Sequence, residues 1–231
     1  MTDGFFEGSV YFGVCVSLAA YAAGVWLRKK TGWSFMNPLL VSIVLVIAAL
    51  LVCGIGYGTY NESASWLSYL LTPATVCLAV PLYQQVDLLR KNSRAIICGI
   101  VGGALSGMTT VLLLALLFGF SHEAYVTFLP KSITTAIGMG VSEELGGIVS
   151  VTVVSIIVTG VLGNIMAEKV LAWLKIDEPV AKGIAIGSSS HAIGTAKAME
   201  MGVVEGATSG LSIVVSGILT VVGAALFALF L

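Results

Sequence analysis

Charge is what this chain has least of: 12 acidic and 11 basic side chains in 231 residues, 10% in all, against about 25% in an ordinary soluble domain. That deficit excludes a water-soluble globular fold and points to the lipid bilayer. A net charge of −1 leaves no basic field for a nucleic acid. Cysteine is scarce as well. Cys15, Cys53, Cys77 and Cys98 all fall in apolar runs without metal-ligand spacing, so they read as small buried hydrophobes, and no metal or cofactor is expected. The opening segment 1–8 is acidic and lacks the basic start of a cleavable signal. Ser190 and His191 are chain neighbours whose side chains point apart on a helix, with no orienting acid behind them. No enzyme is expected on that arrangement.

What the chain does have is apolar length. Apolar residues make up 58% of it, and about 20 in a helix cross a bilayer. Six runs reach that length, roughly Ser9 to Leu27, Asn37 to Gly56, Leu67 to Val86, Ala95 to Phe118, Ile148 to Leu171 and Glu205 to Leu231. The third holds Pro73 and Pro81, which remove backbone donors and predict a kinked or broken helix. Gly99, Gly103 and Gly107, four residues apart, mark a face for close helix packing and self-association. Two further stretches, Leu129 to Gly147 and Ala181 to Gly202, are too polar and glycine-rich to be simple spans.

Basic residues fall in three clusters: Arg28, Lys29 and Lys30; Arg90, Lys91 and Arg94; Lys169, Lys175 and Lys182. Lys and Arg favour the cytoplasmic side. All three clusters lie there only if the chain starts outside and each polar stretch enters and leaves by one face. Leu129 to Gly147 then dips from the outer face and Ala181 to Gly202 from the inner one. A shift of 60 residues pairs Ile133 with Ile193, Thr135 with Thr195, Ala136 with Ala196, Met139 with Met199 and Gly146 with Gly206. The expected fold is an all-α membrane protein forming a single domain over 1–231. It has about six transmembrane helices plus two re-entrant or broken segments, in inverted repeats at about 129–171 and 189–231. Such repeats place solute sites at the midplane, where interrupted helices meet.

The densest polar run is Gly187-Ser-Ser-Ser-His-Ala-Ile-Gly-Thr-Ala-Lys197, in the second dip. Lipid offers these groups no hydrogen bonds, and polar residues at membrane depth mark pathways or sites. Gly187 and Gly194 permit a break whose amides can bind an anion. Ser188, Ser189, Ser190, His191 and Thr195 add donors, and Lys197 adds a positive charge. With Gly194 they suit a small carboxylate, and His191 is able to carry a proton. The competing reading has the hydroxyls back-bonding to helix carbonyls and His191 packing as a satisfied core residue. In the first dip, Thr134 and Thr135 take the places of Gly194 and Thr195, and Pro130 can open a half-helix. Lys131 either joins the site or snorkels to the interface. Glu143 and Glu144 read as solvated carboxylates, mouth residues or partners for Lys197.

Leu129-Pro-Lys-Ser-Ile-Thr-Thr-Ala-Ile-Gly-Met139, Gly146-Gly-Ile148 and the run from Gly187 to Gly206 resemble the LrgB/CidB family. Asn37-Pro-Leu-Leu40 and Ala79-Val-Pro-Leu-Tyr83 fit too, so the likeness covers nearly the whole chain. Some members carry Thr-Thr-Pro-Ile-Ala where this chain has Thr134-Thr-Ala-Ile-Gly138, which leaves the first break to Gly138 and Gly140. The resemblance implies a multi-pass protein of the bacterial inner membrane, homo-oligomeric and paired with a separately encoded LrgA/CidA-type membrane protein. It implies two activities. One is transport of small monocarboxylates such as pyruvate or glycolate, which explains the polar run. The alternative is holin-like or antiholin-like regulation of murein hydrolase activity and cell lysis.

Overall fold

A computed structural model describes residues 11–32, 37–70, 73, 76–77, 80 and 83–231. All regular structure among the described residues is helical. The chain divides into two compact units, Met1–Cys77 and Leu78–Leu231.

The first unit holds α1 (Phe12–Thr31), α2 (Pro38–Cys53) and α3 (Tyr57–Tyr69). Asn37 caps α2 by accepting the Leu39 amide at 2.8 Å, and Pro38 occupies the first turn, where a missing donor costs nothing. The Gly13 amide of α1 donates to Ser63 Oγ of α3 at 2.9 Å, and Ser17 Oγ meets the Tyr60 hydroxyl at 2.8 Å. Most of α3 lies between two of the expected spans, where Asn61 and Glu62 interrupt the apolar character. The kink expected between Pro73 and Pro81 falls mostly outside the described residues.

The second unit contains α4 (Val86–Lys91), α5 (Ser93–Phe118), α6 (His122–Phe128), α7 (Thr135–Glu144), α8 (Val149–Trp173), α9 (Pro179–Met201) and α10 (Val203–Phe227), closed by a 3-10 turn, Ala228–Phe230. Among the described residues three helices are long and apolar enough to cross a membrane: Ser93–Phe118, Val149–Trp173 and Val203–Phe230. Their apolar residues face outward, as with Leu113, Val154 and Ile218, while hydroxyls such as Thr152, Ser212 and Thr220 are buried. That inside-out distribution is what lipid imposes. It also corrects the expectation of buried cysteines. All four are exposed, because in lipid an apolar run is no sign of an inward face.

Two hairpins sit against α8. In the first, α6 ends, the chain breaks over 129–134, and α7 runs back, with Pro130 O facing Gly138 and Thr127 facing Gly147. The break precedes the expected glycines: Gly138 and Gly140 lie inside α7. Pro130 sits in the break and opens nothing. It lacks the amide that would prolong α6, and extended backbone at Thr134 (φ −64°, ψ 146°) starts the next helix. A glycine inside a supported helix costs only about 1 kcal/mol, too little to end it.

In the second hairpin, Glu178 caps α9 by accepting the Ala181 amide at 2.7 Å, with Pro179 in the first turn. Helical geometry fails at Ser190 (φ −132°, ψ 15°) and His191 (φ 42°, ψ −141°). Beyond them the chain turns back on itself. A Cβ at Gly194 would lie 3.3 Å from Ile186 O, although eight residues span about 12 Å of straight helix. The break thus falls on two non-glycine residues between the glycines that the sequence points to.

The hairpins approach α8 from opposite ends. The first lies along its N-terminal half, where Thr152 Oγ1 donates to Thr127 O at 2.9 Å and lies 2.7 Å from Ser142 Oγ. Gly138 then meets Ile156 one turn further on. The second lies along the C-terminal half: Leu171 and Ala167 cluster with Ile186 and Ala198, then Gly163 meets Ser190 and Gly160 meets His191. The two tips reach the middle of α8 within about one turn of each other.

Candidate functional site

The second tip is fixed by close approach. A Cβ at Gly160 would lie 2.6 Å from His191 Cε1 and 2.7 Å from Nε2, and one at Gly163 would collide with Ser190 Oγ. Only a side chain of hydrogen lets α8 come this near. Seated there, His191 is 3% exposed, and its Nε2 donates to Ile156 O at 2.9 Å. A carbonyl partner fixes the proton on Nε2. Ile156 thereby touches both tips, through its carbonyl to His191 and through its side chain to Gly138.

The serines divide by partner. Ser188 is buried and donates to Ile184 O at 2.7 Å, beneath Gly103 of α5. Ser189 donates to Ala185 O at 2.7 Å but is exposed, and its Oγ stands 3.0 Å from that of buried Ser190. Ser189 and Ser190 form the polar end of an otherwise apolar cavity of about 200 Å³, walled by Gly163, Met166, Leu171 and Ile186. Thr195 is fully buried; its Oγ1 donates to His191 O at 3.0 Å and meets Ser209 Oγ of α10 at 2.7 Å. Back-bonding therefore accounts for Ser188, Ser189 and Thr195, as the competing reading anticipates, although Ser189 and Ser190 also border a cavity.

Lys197 is engaged elsewhere. Its Nζ lies 2.7 Å from Glu168 Oε1 and 3.2 Å from Glu200 Oε2. Glu143 and Glu144 are exposed and do not pair with it. The Lys197–Glu168 pair ties the returning half of α9 to α8, with Glu168 mostly in solvent. Glu168→Gln should cost at most about 1 kcal/mol. Thermal unfolding in detergent checks this, and the gap from the parent should shrink at about 0.5 M salt. A larger, salt-insensitive loss would mean that the pair is effectively buried.

Thr134 and Thr135 stand at the first tip, half-buried, and the Thr134 side chain does not cap α7. Lys131 is half-buried beside them and donates to Ser132 Oγ at 3.1 Å. The structure thus gathers Ser188 to Thr195 at one tip and Thr134 with Thr135 at the other, and leaves Lys197 on a flank.

Sequence reading misses several residues that build this site: Gly160 and Gly163, the Ile156 carbonyl, Ser209, and Asn164, whose Nδ2 donates to Ile193 O at 2.8 Å. One signal was available. Thr208, Ser212, Ser216 and Thr220 recur every fourth position of an apolar helix, and all four are buried. Among the described residues no group of His, Cys, Asp and Glu is placed to hold a metal ion.

Comparison with known proteins agrees with the motifs. A family described as LrgB-like matches residues 17–230. The chain is 39% identical to the antiholin-like protein LrgB of Bacillus subtilis, over 92% of this chain and 93% of the relative. It is 35% identical to the holin-like protein CidB of Staphylococcus aureus, over 90% of each. An uncharacterized B. subtilis protein, YxaC, is 37% identical over 89% of this chain and 90% of its own length. No solved structure matches.

Proposed function

The chain belongs to the LrgB-like family, and we propose that it is a carrier of small monocarboxylates, of the pyruvate or glycolate kind, in the bacterial inner membrane. One observation carries the reading: α7 and the returning half of α9 are half-helices that both begin at hairpin tips meeting beside the middle of α8. Helix N-termini present amides and a partial positive charge, so two of them converging favour a carboxylate without a buried ion pair. Thr134 and Thr135 line one side; Ser189, Ser190 and His191 line the other, with Gly194 and Thr195 holding the returning half-helix in place. Segments 129–171 and 189–231 act as inverted repeats within about six membrane crossings. An LrgA/CidA-type protein serves as partner, as the names of the relatives suggest, and the assembly is homo-oligomeric. No bond is made or broken in the solute.

The test is uptake of labelled pyruvate and glycolate into liposomes holding the purified protein, with and without a co-reconstituted LrgA-type protein. Expected is saturable uptake from vesicles that retain trapped carboxyfluorescein. Dye release without saturable uptake would refute the carrier and favour the second reading, holin-like or antiholin-like control of lysis. The names of the relatives support that reading. The two are compatible if traffic of organic acids itself sets the onset of lysis.

A further inference from the structure

We infer that Ser216, on α10, is a ligand for the solute's carboxylate, acting with the first-turn amides of α7. This rests on the carrier reading and names a residue that the reading does not contain.

Ser216 is 2% exposed, and its Oγ is the single buried side-chain polar atom among the described residues with no hydrogen-bond partner. Its neighbours on the same helix are satisfied: Thr208 donates to Val204 O at 2.8 Å, Ser212 to Thr208 O at 2.7 Å, and Ser209 meets Thr195. The same back-bond, to the carbonyl four residues earlier, is open to Ser216 and is not made. A buried hydroxyl without a partner is costly, so its presence calls for an occupant.

Register places that hydroxyl in the gap between the tips. The first half of α9 runs parallel to α10, with Gly183 against Thr208 and Gly187 against Ser209. His191, four residues past Gly187, is therefore level with Ile213, and Ser216 stands about 4.5 Å beyond the tip. Seven residues return a helix to nearly the same face, so Ser216 points the way Ser209 does, toward the column the second hairpin occupies, but past its end. What lies at that height is α7: Gly217 faces Ile137, in the first turn of that helix. The Thr134 side chain leaves that turn uncapped. An uncapped helix start and an unpartnered donor hydroxyl at one level form an anion site sized for one carboxylate.

The experiment uses the full-length protein in detergent and in liposomes. Binding is read as thermal stabilisation by pyruvate, glycolate and the uncharged analogue pyruvamide; transport is read as uptake. For Ser216→Ala we expect an unliganded melting temperature equal to or above that of the parent, because an unpaired hydroxyl is removed. Stabilisation by both acids should be lost, and KM should rise tenfold or more. Ser212→Ala, which removes a satisfied hydroxyl from the same helix, should change KM less than twofold. Ser216→Ala that binds and carries both acids like the parent overturns the assignment and leaves the carrier standing, with a buried water as the occupant. A parent that binds the acids through Ser216 but moves none overturns the carrier alone. A parent stabilised equally by pyruvamide, or by no acid, overturns the carboxylate site.

Discussion

Gly160→Ala is expected to lower stability by about 1–3 kcal/mol and to reduce carboxylate uptake at least tenfold. The added methyl would stand 2.6 Å from His191 Cε1 and 3.0 Å from Ile193 Cβ, so the ring must leave its seat and release Ile156 O. The tip of the second hairpin then loses its position relative to the first. Alanine is a better helix former than glycine by about 1 kcal/mol, and this works against the clash, so a net loss isolates the packing effect. Gly102, with open space where a Cβ would go, is the matched control: Gly102→Ala should be neutral or stabilising. Thermal unfolding of both variants beside the parent decides the matter. Equal melting temperatures for Gly160→Ala and the parent would show that the tip shifts freely and that His191 is not held by α8.

His191→Ala is the second large effect. It takes from the Ile156 carbonyl the donor it has beyond its own helical bond, at about 0.5–1.5 kcal/mol, and keeps a Cβ at φ 42°. His191→Gly loses the same bond but relieves the backbone, since a left-handed conformation costs a residue with a Cβ about 1–2 kcal/mol more than glycine. The glycine variant should therefore melt higher than the alanine variant, while both lose uptake. The order of the two melting temperatures tests the backbone conformation, and uptake tests the ring. Full uptake in both would remove His191 from the site.

The large features of this fold were legible because lipid makes them so. A shortage of charge and an all-helical chain can be read from composition and length, and three of the six expected spans are helices long and apolar enough to cross a membrane. Family membership was legible in the run from Gly187 to Gly206. The positions of the breaks were not. Glycine is the residue usually tied to irregular backbone, yet in this chain Gly138, Gly140, Gly187 and Gly194 all sit in helical segments, while Pro130, Ser190 and His191 lie where the helices stop. Glycine signals two things, freedom of backbone and absence of a side chain, and one sequence does not say which is in use. Gly160 and Gly163 act by absence, and their partners lie about thirty residues downstream, a pairing that no local pattern reveals. Lys197 was misplaced for a similar reason, since Glu168 is far in sequence and adjacent only after folding.

The self-contained bonding of the second hairpin has a mechanical meaning. Ser188 and Ser189 satisfy themselves on carbonyls of their own helix. Polar attachment to α8 includes His191 with Ile156, Asn164 with Ile193, and Lys197 with Glu168. At about 0.6 kcal/mol for an average polar contact in a bilayer setting, these three contribute roughly 2 kcal/mol between them. The glycines of α8 set how closely the hairpin seats, so a side chain at either Gly160 or Gly163 would act as a wedge between the two.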